Sequence, residues 1–417
     1  MIVGKAVGKE ALAAVGGATA NLINLLVGFF VGLSSGAGVI ISQHWGARRD
    51  GEVSSAVHTA AFISLLFGAF LTFLGLWLSP QLLTLMHTPA DVLPHATAYL
   101  RIFFLGMIPQ MVYNMGSGIL RAVGDSRRPL FFLICACMTN IVLDVIAVIG
   151  MGLGVRGVAW ATVLSQTVSA VLVTVTLLRA STSFRLRPTR IRPHPDKLRA
   201  IIRIGLPAGL QSVMYSLSNV LIQTAVNGFD TDVLAGWTAY GKLDGLFWMT
   251  MNAFGVAITT FSGQNFGAGR YDRMRRGVRV TLLQALCGCG VVMAFLWGFG
   301  ENLYRLFTTD EDVIAQGLHI LHTLVPFYMT YLCVEVLSGA VRGAGDSVIP
   351  TLMTLFGICI LRVLWILFVL PAHRTIDTVL YAYPITWIVT SILFIVYYLK
   401  GSWLTRCRRR AGLEADL

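Results

Sequence analysis

The sequence predicts an all-α integral membrane protein of two pseudo-symmetric six-helix lobes, with about eleven transmembrane helices present of an expected twelve. Three observations carry that prediction: the composition, the succession of apolar runs and an internal repeat. Of the 417 residues, 56% are hydrophobic and 12% charged, and mean hydropathy is +0.73; water would not keep such a chain in solution as a globule. Continuous apolar runs of about 20 residues, enough to cross a hydrocarbon core of about 30 Å as helix, recur along the chain. The repeat is direct. Gln43, Gly46, Ala47 and Arg49 return 221 residues later as Gln264, Gly267, Ala268 and Arg270. Arg121, Gly124, Asp125, Ser126 and Pro129 return at the same offset as Arg342, Gly345, Asp346, Ser347 and Pro350. Two motifs sharing one spacing mark two copies of one module, which in a membrane points to a transporter with its substrate between the halves.

Taken in order, the runs fall near 14–41, 54–78, 96–120, 130–150 and 157–178 in the first module. They continue near 200–226, 233–261, 277–299, 314–341, 349–370 and 379–399 in the second. The runs do not alternate polar with apolar, so helices, which satisfy their own backbone in lipid, are expected rather than a barrel. The first and seventh runs end in SQHWGARRD and GQNFGAGRYDR, where Gly lets the chain reverse and Arg meets headgroups. The third and ninth end in LRAVGDSRRP and VRGAGDSVIP, with a helix-compatible Pro after the turn. Mapped back by the repeat offset, the run 200–226 has a counterpart that would begin before Met1, so the first module is expected to lack most of its opening helix. The domain division is then an N-terminal lobe 1–179, a linker 180–199, a C-terminal lobe 200–400 and a tail 401–417. The linker, STSFRLRPTRIRPHPDKLRA, is polar and basic, and three prolines oppose a continuous helix.

Charge sorts by loop. Alternate connections, at 42–56, 121–129, 179–203, 264–279, Arg342 and the tail from 400, hold 24 of the 32 basic residues. Short cytoplasmic loops collect Lys and Arg, so this side is read as cytoplasmic, with the C-terminus on it. The net charge of +12 is thereby topology, and no nucleic-acid partner is needed. The cluster Arg406, Arg408, Arg409 and Arg410 suits anionic headgroups as well as anchoring of the last helix. Six of the seven cysteines lie in apolar runs, with Cys407 in the tail, and none has zinc-type spacing. They read as packing residues. No HExxH, GxSxG or paired-acid motif appears, which argues against an enzyme.

The segments EALAAVGGATA, SQHWGARRD, LRAVGDSRRP, GQNFGAGRYDRMRRGVR and VRGAGDSVIP, in that order, resemble the recurring signatures of the multidrug and toxic compound extrusion (MATE) family. The resemblance covers essentially the whole chain from about residue 2. It implies a twelve-helix fold of two six-helix lobes; the chain is read as a monomer of the bacterial inner membrane working by alternating access. It also implies export of organic cations or other amphipathic, drug-like compounds against inward flow of protons or sodium. No other cofactor is implied.

Acids inside membrane helices are costly and mark function. Asp144, Asp244 and Glu335 qualify. Asn140 and Asp144, four apart in TNIVLDVIAVIG, share one helix face. A carboxylate beside an amide oxygen could ligate sodium or, once desolvated, carry a proton. The pair resembles the N-lobe Asn and Asp of the DinF-like bacterial branch, in which Thr162 would join the cluster. No metal is expected beyond sodium at Asp144, and a static polar patch is the structural alternative. Arg362 lies one position past the repeat equivalent of Asn140. It needs a partner in lipid, and Glu335 on the preceding helix is expected to supply it, a substrate-cation site at Glu335 being the lesser reading. In GLPAGLQSVMYSLSN the polar residues are Gln211, Ser212, Tyr215 and Ser216, which argues against sodium chemistry in the C-lobe. Lys242 and Asp244, two apart, face different ways and are assigned structural roles. His319 and His322 near Asp310, Glu311 and Asp312 read as solvated surface. Phe29, Phe30, Phe247 and Trp248 read first as packing and second as a lining for flat cations. The competing functions are a lipid-linked precursor flippase, which would need a more basic cavity, and a non-transporting membrane protein.

Overall fold

The computed structural model describes residues 18–86 and 88–412, among which all regular structure is helical. Two compact units divide between Gly209 and Leu210. The expected missing helix concerns the chain before Ala18 and lies outside the described residues.

The first unit contains α1 (Ala18–Gly46), α2 (Asp50–Leu85), α3 (Leu93–Leu105), α4 (Met107–Ala122), α5 (Arg127–Val145), α6 (Gly154–Arg179) and the first turns of α7 (Pro195–Val226). Helix α4 is central, packed by α1, α2 and α6. Its Met107, Met111, Met115 and Ile119, spaced by four on one face, are buried accordingly. The single run read at 96–120 is two helices, α3 and α4, broken at Gly106. Pro109 in the first turn of α4 has no amide to continue the ladder. A Cβ at Gly106 would lie 2.6 Å from Gln166 Oε1. Helix α1 crosses α7 through glycines: a Cβ on Gly36 would sit 2.5 Å from the Ile201 carbonyl, and one on Gly205 2.6 Å from that of Leu33. Small residues four apart let two backbones touch, and this contact puts the start of α7 in the first unit.

The linker is strapped to α2 rather than loose. His58 is buried; its Nδ1 lies 2.7 Å from the Ser54 carbonyl and its Nε2 accepts from the Arg187 amide at 3.0 Å. Both contacts are satisfied by the neutral ring with its proton on Nδ1. Thr59 Oγ1 donates to the Ser55 carbonyl at 2.8 Å and accepts from the His194 amide at 3.1 Å. Lys197 pairs with Glu52 and, at 3.0 Å, with Asp196, while its Nζ lies 3.2 Å from His44 Nε2.

The second unit holds the rest of α7, then α8 (Thr231–Gly267), α9 (Tyr271–Arg305), α10 (Glu311–Leu324), α11 (Tyr328–Gly343), α12 (Val348–Thr354), α13 (Leu361–Leu364), α14 (Ile376–Lys400) and α15 (Trp403–Arg410). Here α8 is central, packed by α9, α10 and α11. Asp310 caps α10 through the amides of Asp312 and Val313. Helix α15 buries Trp403 and Cys407 against Phe266, Met274 and Val341.

The repeat is visible in the backbone. The Asp125 amide reaches the Leu120 carbonyl at 2.9 Å and the Asp346 amide that of Val341 at 3.2 Å. Gly124 and Gly345 have φ of 96° and 102°, so only glycine fits these helix ends without strain. After α1 and α8 the equivalent positions are Arg48 (φ 55°) and Gly269 (φ 70°): one turn, with an arginine in the left-handed region in the first copy. The copies also share a departure from α geometry. π turns lie at Ile146–Gly150 after α5, and at Leu355–Ile360 and Trp365–Val369 flanking α13.

Eight of the described helical segments are long and apolar enough to cross a membrane by length and composition. The runs expected at 96–120, 200–226 and 233–261 are helical but do not meet that measure. The first is interrupted at Gly106, while Gln211, Ser212, Ser216, Ser218 and Asn219 lower the hydropathy of α7 and Thr250, Asn252, Thr259 and Thr260 that of α8.

Candidate functional site

Asp144 lies in the last turn of α5, immediately before the π turn at Ile146–Gly150. Such turns recur at functional sites because they turn side chains off the regular helical register. The side chain is half-buried, and its Oδ1 has no exposure and no hydrogen-bond partner among the described residues. Asn140, one turn earlier, is also half-buried. Helices α3 and α6 bring Tyr99 and Thr162 to the same place, within electrostatic range of one another and of Asp144. Thr162 Oγ1 donates to the Val158 carbonyl at 3.0 Å. The structure thus gathers Asp144 and Thr162, and adds Tyr99, which sequence reasoning missed. A tyrosine in HATAYLRIF carries no local signal, being equally suited to packing. Gln166, one turn past Thr162, is a second omission, with Oε1 buried and unpartnered.

The acids of the second unit are placed differently. Asp244 on α8 accepts from Trp248 Nε1 at 2.7 Å, the Tyr328 hydroxyl at 2.6 Å and the Tyr240 hydroxyl at 3.3 Å. Tyr240 and Tyr328 are 3.0 Å apart, and Phe247 stacks on Tyr328 at 4.0 Å. Both oxygens of this carboxylate are satisfied by donors that α8 and α11 hold rigidly. Lys242 is exposed, facing away as its spacing requires.

The expected Glu335–Arg362 ion pair does not form. Arg362, 3% exposed, reaches Asn219 Oδ1 at 3.4 Å and Thr386 Oγ1 at 3.5 Å, and lies 4.2 Å over the Tyr383 ring. Neutral acceptors and a ring face take the place of the carboxylate because Arg362 faces α7 and α14. Glu335 instead packs against Gly255 of α8 and accepts from the Tyr331 hydroxyl at 3.3 Å. Tyr331 continues to Tyr215 at 3.2 Å. Gln211 bridges Thr354 (3.2 Å) and Arg342 (3.1 Å). Gln211 and Tyr215 therefore tie α7 to α11 and α12, within the same polar layer. His319 pairs with Asp377 at 2.6 Å on the exposed surface, and His322 packs on Trp297. No group of three or more His, Cys, Asp or Glu suited to a metal occurs among the described residues.

Against known proteins, a family model described as MatE matches residues 1–146 and 207–368. The chain is 27% identical over 408 residues to "Probable multidrug resistance protein YoeA" of Bacillus subtilis, covering 95% of this chain and 88% of that one. It is 30% identical over 364 residues to "Probable multidrug resistance protein YpnP" of the same organism, covering 86% and 80%. Among solved structures, "Crystal structure of MATE in the bent conformation" superposes with a TM-score of 0.88 at 22% identity, over 99% of this chain and 91% of that one; this likeness establishes the fold.

Proposed function

The chain belongs to the multidrug and toxic compound extrusion family, whose members are multi-pass membrane transporters and not enzymes, and on that premise we propose that it is a secondary antiporter coupled at Asp144. It exports organic cations or amphipathic compounds in exchange for protons or sodium, by alternating access, as a monomer in the bacterial inner membrane with its basic loops and C-terminus in the cytoplasm.

One observation carries the assignment of the coupling site: of the two intramembrane aspartates, Asp244 has every oxygen satisfied and Asp144 has a buried one without a partner among the described residues. A buried polar atom without a partner costs about 1–3 kcal/mol, more when charged. A proton or a sodium ion at Asp144 removes that cost, so occupancy of the site changes the energy of the surrounding helices. Asp244 gains nothing from an ion and serves to lock α8 to α11. Asn140, Thr162 and Tyr99 supply the neutral oxygens that a cation at Asp144 requires. The π turn after Asp144 provides backbone that can change register when the charge is neutralised. Gln211, Tyr215 and Glu335 form the polar layer of the second unit and hold its helices together. The flippase reading rests on Arg362, which is sealed by Tyr383, Asn219 and Thr386 and so offers little to a pyrophosphate.

The test is ethidium efflux from energised cells expressing the full chain and Asp144→Asn. Coupled export requires efflux that collapses with the ion gradient and is lost in the variant. Unchanged efflux in Asp144→Asn removes that residue from the mechanism.

A further inference from the structure

At the end of the second unit where α8 gives way to α9, a groove of about 530 Å³ lies between the first turn of α9 and helix α15. Its walls carry Arg270, Arg273, Arg275 and Arg408, with Asp272 the single carboxylate and Leu404 an apolar floor. Four guanidiniums against one acid is an unbalanced arrangement, and none of the four is ion-paired among the described residues. The neighbouring tail arginines have a different assignment. Arg406 and Arg410 each approach the buried Asp346 at 3.9 Å, so the acid of the second Gly-Asp-Ser turn claims them and not the groove.

Two of the groove cations are held in place without an anion. The Arg408 guanidinium lies 5.2 Å over the Tyr271 ring and that of Arg273 lies 5.9 Å over Phe261. Stacking fixes a guanidinium plane while leaving its edge N–H groups available. Arg408 Nε, buried, has no acceptor among the described residues, which costs free energy until one arrives. The α9 N-terminus adds unsatisfied backbone amides and a favourable dipole for negative charge. Burial of Trp403 and Cys407 holds α15 against the unit, so the groove is prebuilt.

We propose that this groove binds a phosphate diester, that of an anionic phospholipid headgroup. Arginine forks match phosphate oxygens in geometry and charge. The location fits, because the groove opens beside the N-terminal end of the membrane-crossing α9, at the level where helices leave the hydrocarbon, and Leu404 gives the glycerol backbone an apolar contact. A bound headgroup would clamp α15 to α9 and so couple lipid composition to the stability of the second unit. The claim is independent of which ion or drug is transported.

The experiment uses the purified full chain in lipid nanodiscs. Thermal stability is followed while phosphatidylglycerol replaces phosphatidylcholine, and retained lipid is identified by native mass spectrometry. Phosphatidylglycerol should raise the Tm with saturation and be retained, whereas the doubly substituted Arg275→Gln, Arg408→Gln chain should bind it at least roughly tenfold more weakly. Arg409→Gln, outside the groove, should behave as the parent. Should the double variant not fold, Arg270→Gln, an exposed position, carries the same expectation alone. Equal Tm in both lipids for the parent, or equal retention by the variants, would overturn the site. Glycerophosphoglycerol presents the same phosphate diester without acyl chains; stabilisation by it at the same concentrations as the lipid would overturn the assignment to a lipid.

Discussion

The two aspartates of the membrane helices should respond oppositely to the same substitution. Asp144→Asn keeps shape and removes charge at an atom that accepts no hydrogen bond. No donor among the described residues is orphaned, so stability should change by no more than about 0.5 kcal/mol, or rise, since an unsatisfied buried charge is destabilising. Asp244→Asn replaces one of two oxygens that receive Trp248 Nε1 on one side and two tyrosine hydroxyls on the other. The amide sits with its oxygen toward Trp248 Nε1, and its NH₂ then donates to the tyrosine hydroxyls, which must turn to accept. Charge-assisted bonds become neutral ones, and the loss is worth about 1.5–3 kcal/mol. Efflux of ethidium and thermal unfolding of the purified protein separate the two effects. Asp144→Asn should be folded, parent-like in Tm and inactive; Asp244→Asn should have a lowered Tm and retain activity in proportion to the folded fraction. The reasoning fails if Asp144→Asn is as destabilised as Asp244→Asn, or if Asp244→Asn keeps the parental Tm and loses all transport.

Other outcomes follow from the same geometry. Arg48 and Gly269 occupy one turn in two copies, so Gly269→Ala should destabilise by about 1–2 kcal/mol and Arg48→Gly should be neutral or stabilising, read as paired Tm shifts; a loss of stability in Arg48→Gly would mean its side chain matters more than its φ. Lys197→Met removes the cation that joins the linker to Glu52 of α2, and trypsin should then cut at Arg185 to Arg192 several times faster; an unchanged rate would show that His58 and Thr59 hold the linker alone. Gly36→Val would drive a side chain into the Ile201 carbonyl, and overpacking of that kind costs at least about 1–3 kcal/mol. Poor expression or a strongly lowered Tm is expected, against little effect for Gly51→Val, where nothing lies within 4 Å.

Much of the architecture was readable because it depends on local properties. Helix positions followed from apolar length, and the turns followed from glycines that the backbone needs at φ near 100°. Asp144 was readable because an acid in TNIVLDVIAVIG has no cheap explanation in lipid. Tyr99 and Gln166 were not, since tyrosine and glutamine in helices are common and only the crossing of α3, α5 and α6 makes them neighbours. The division of the run 96–120 was missed because Gly106 looks like any helix glycine until Gln166 fills the space beside it.

Partner choice lay beyond the chain's own order. Glu335 and Arg362 looked paired by charge and proximity in sequence, yet helix rotation turns one toward Gly255 and Tyr331 and the other toward Tyr383. Asp244 reads as structural from its spacing to Lys242, and its three donors are visible only once α8 meets α11. The linker, read as a charged connection, is a strap because His58 and Thr59 of α2 happen to present an acceptor each to its amides. The sequence by itself determined that this is a twofold repeat of membrane helices with an acid where lipid forbids one, because length, hydrophobicity and backbone handedness act residue by residue. The tertiary structure decided which acid is saturated and which is left open, because a hydrogen bond between helices depends on the angle at which their faces meet.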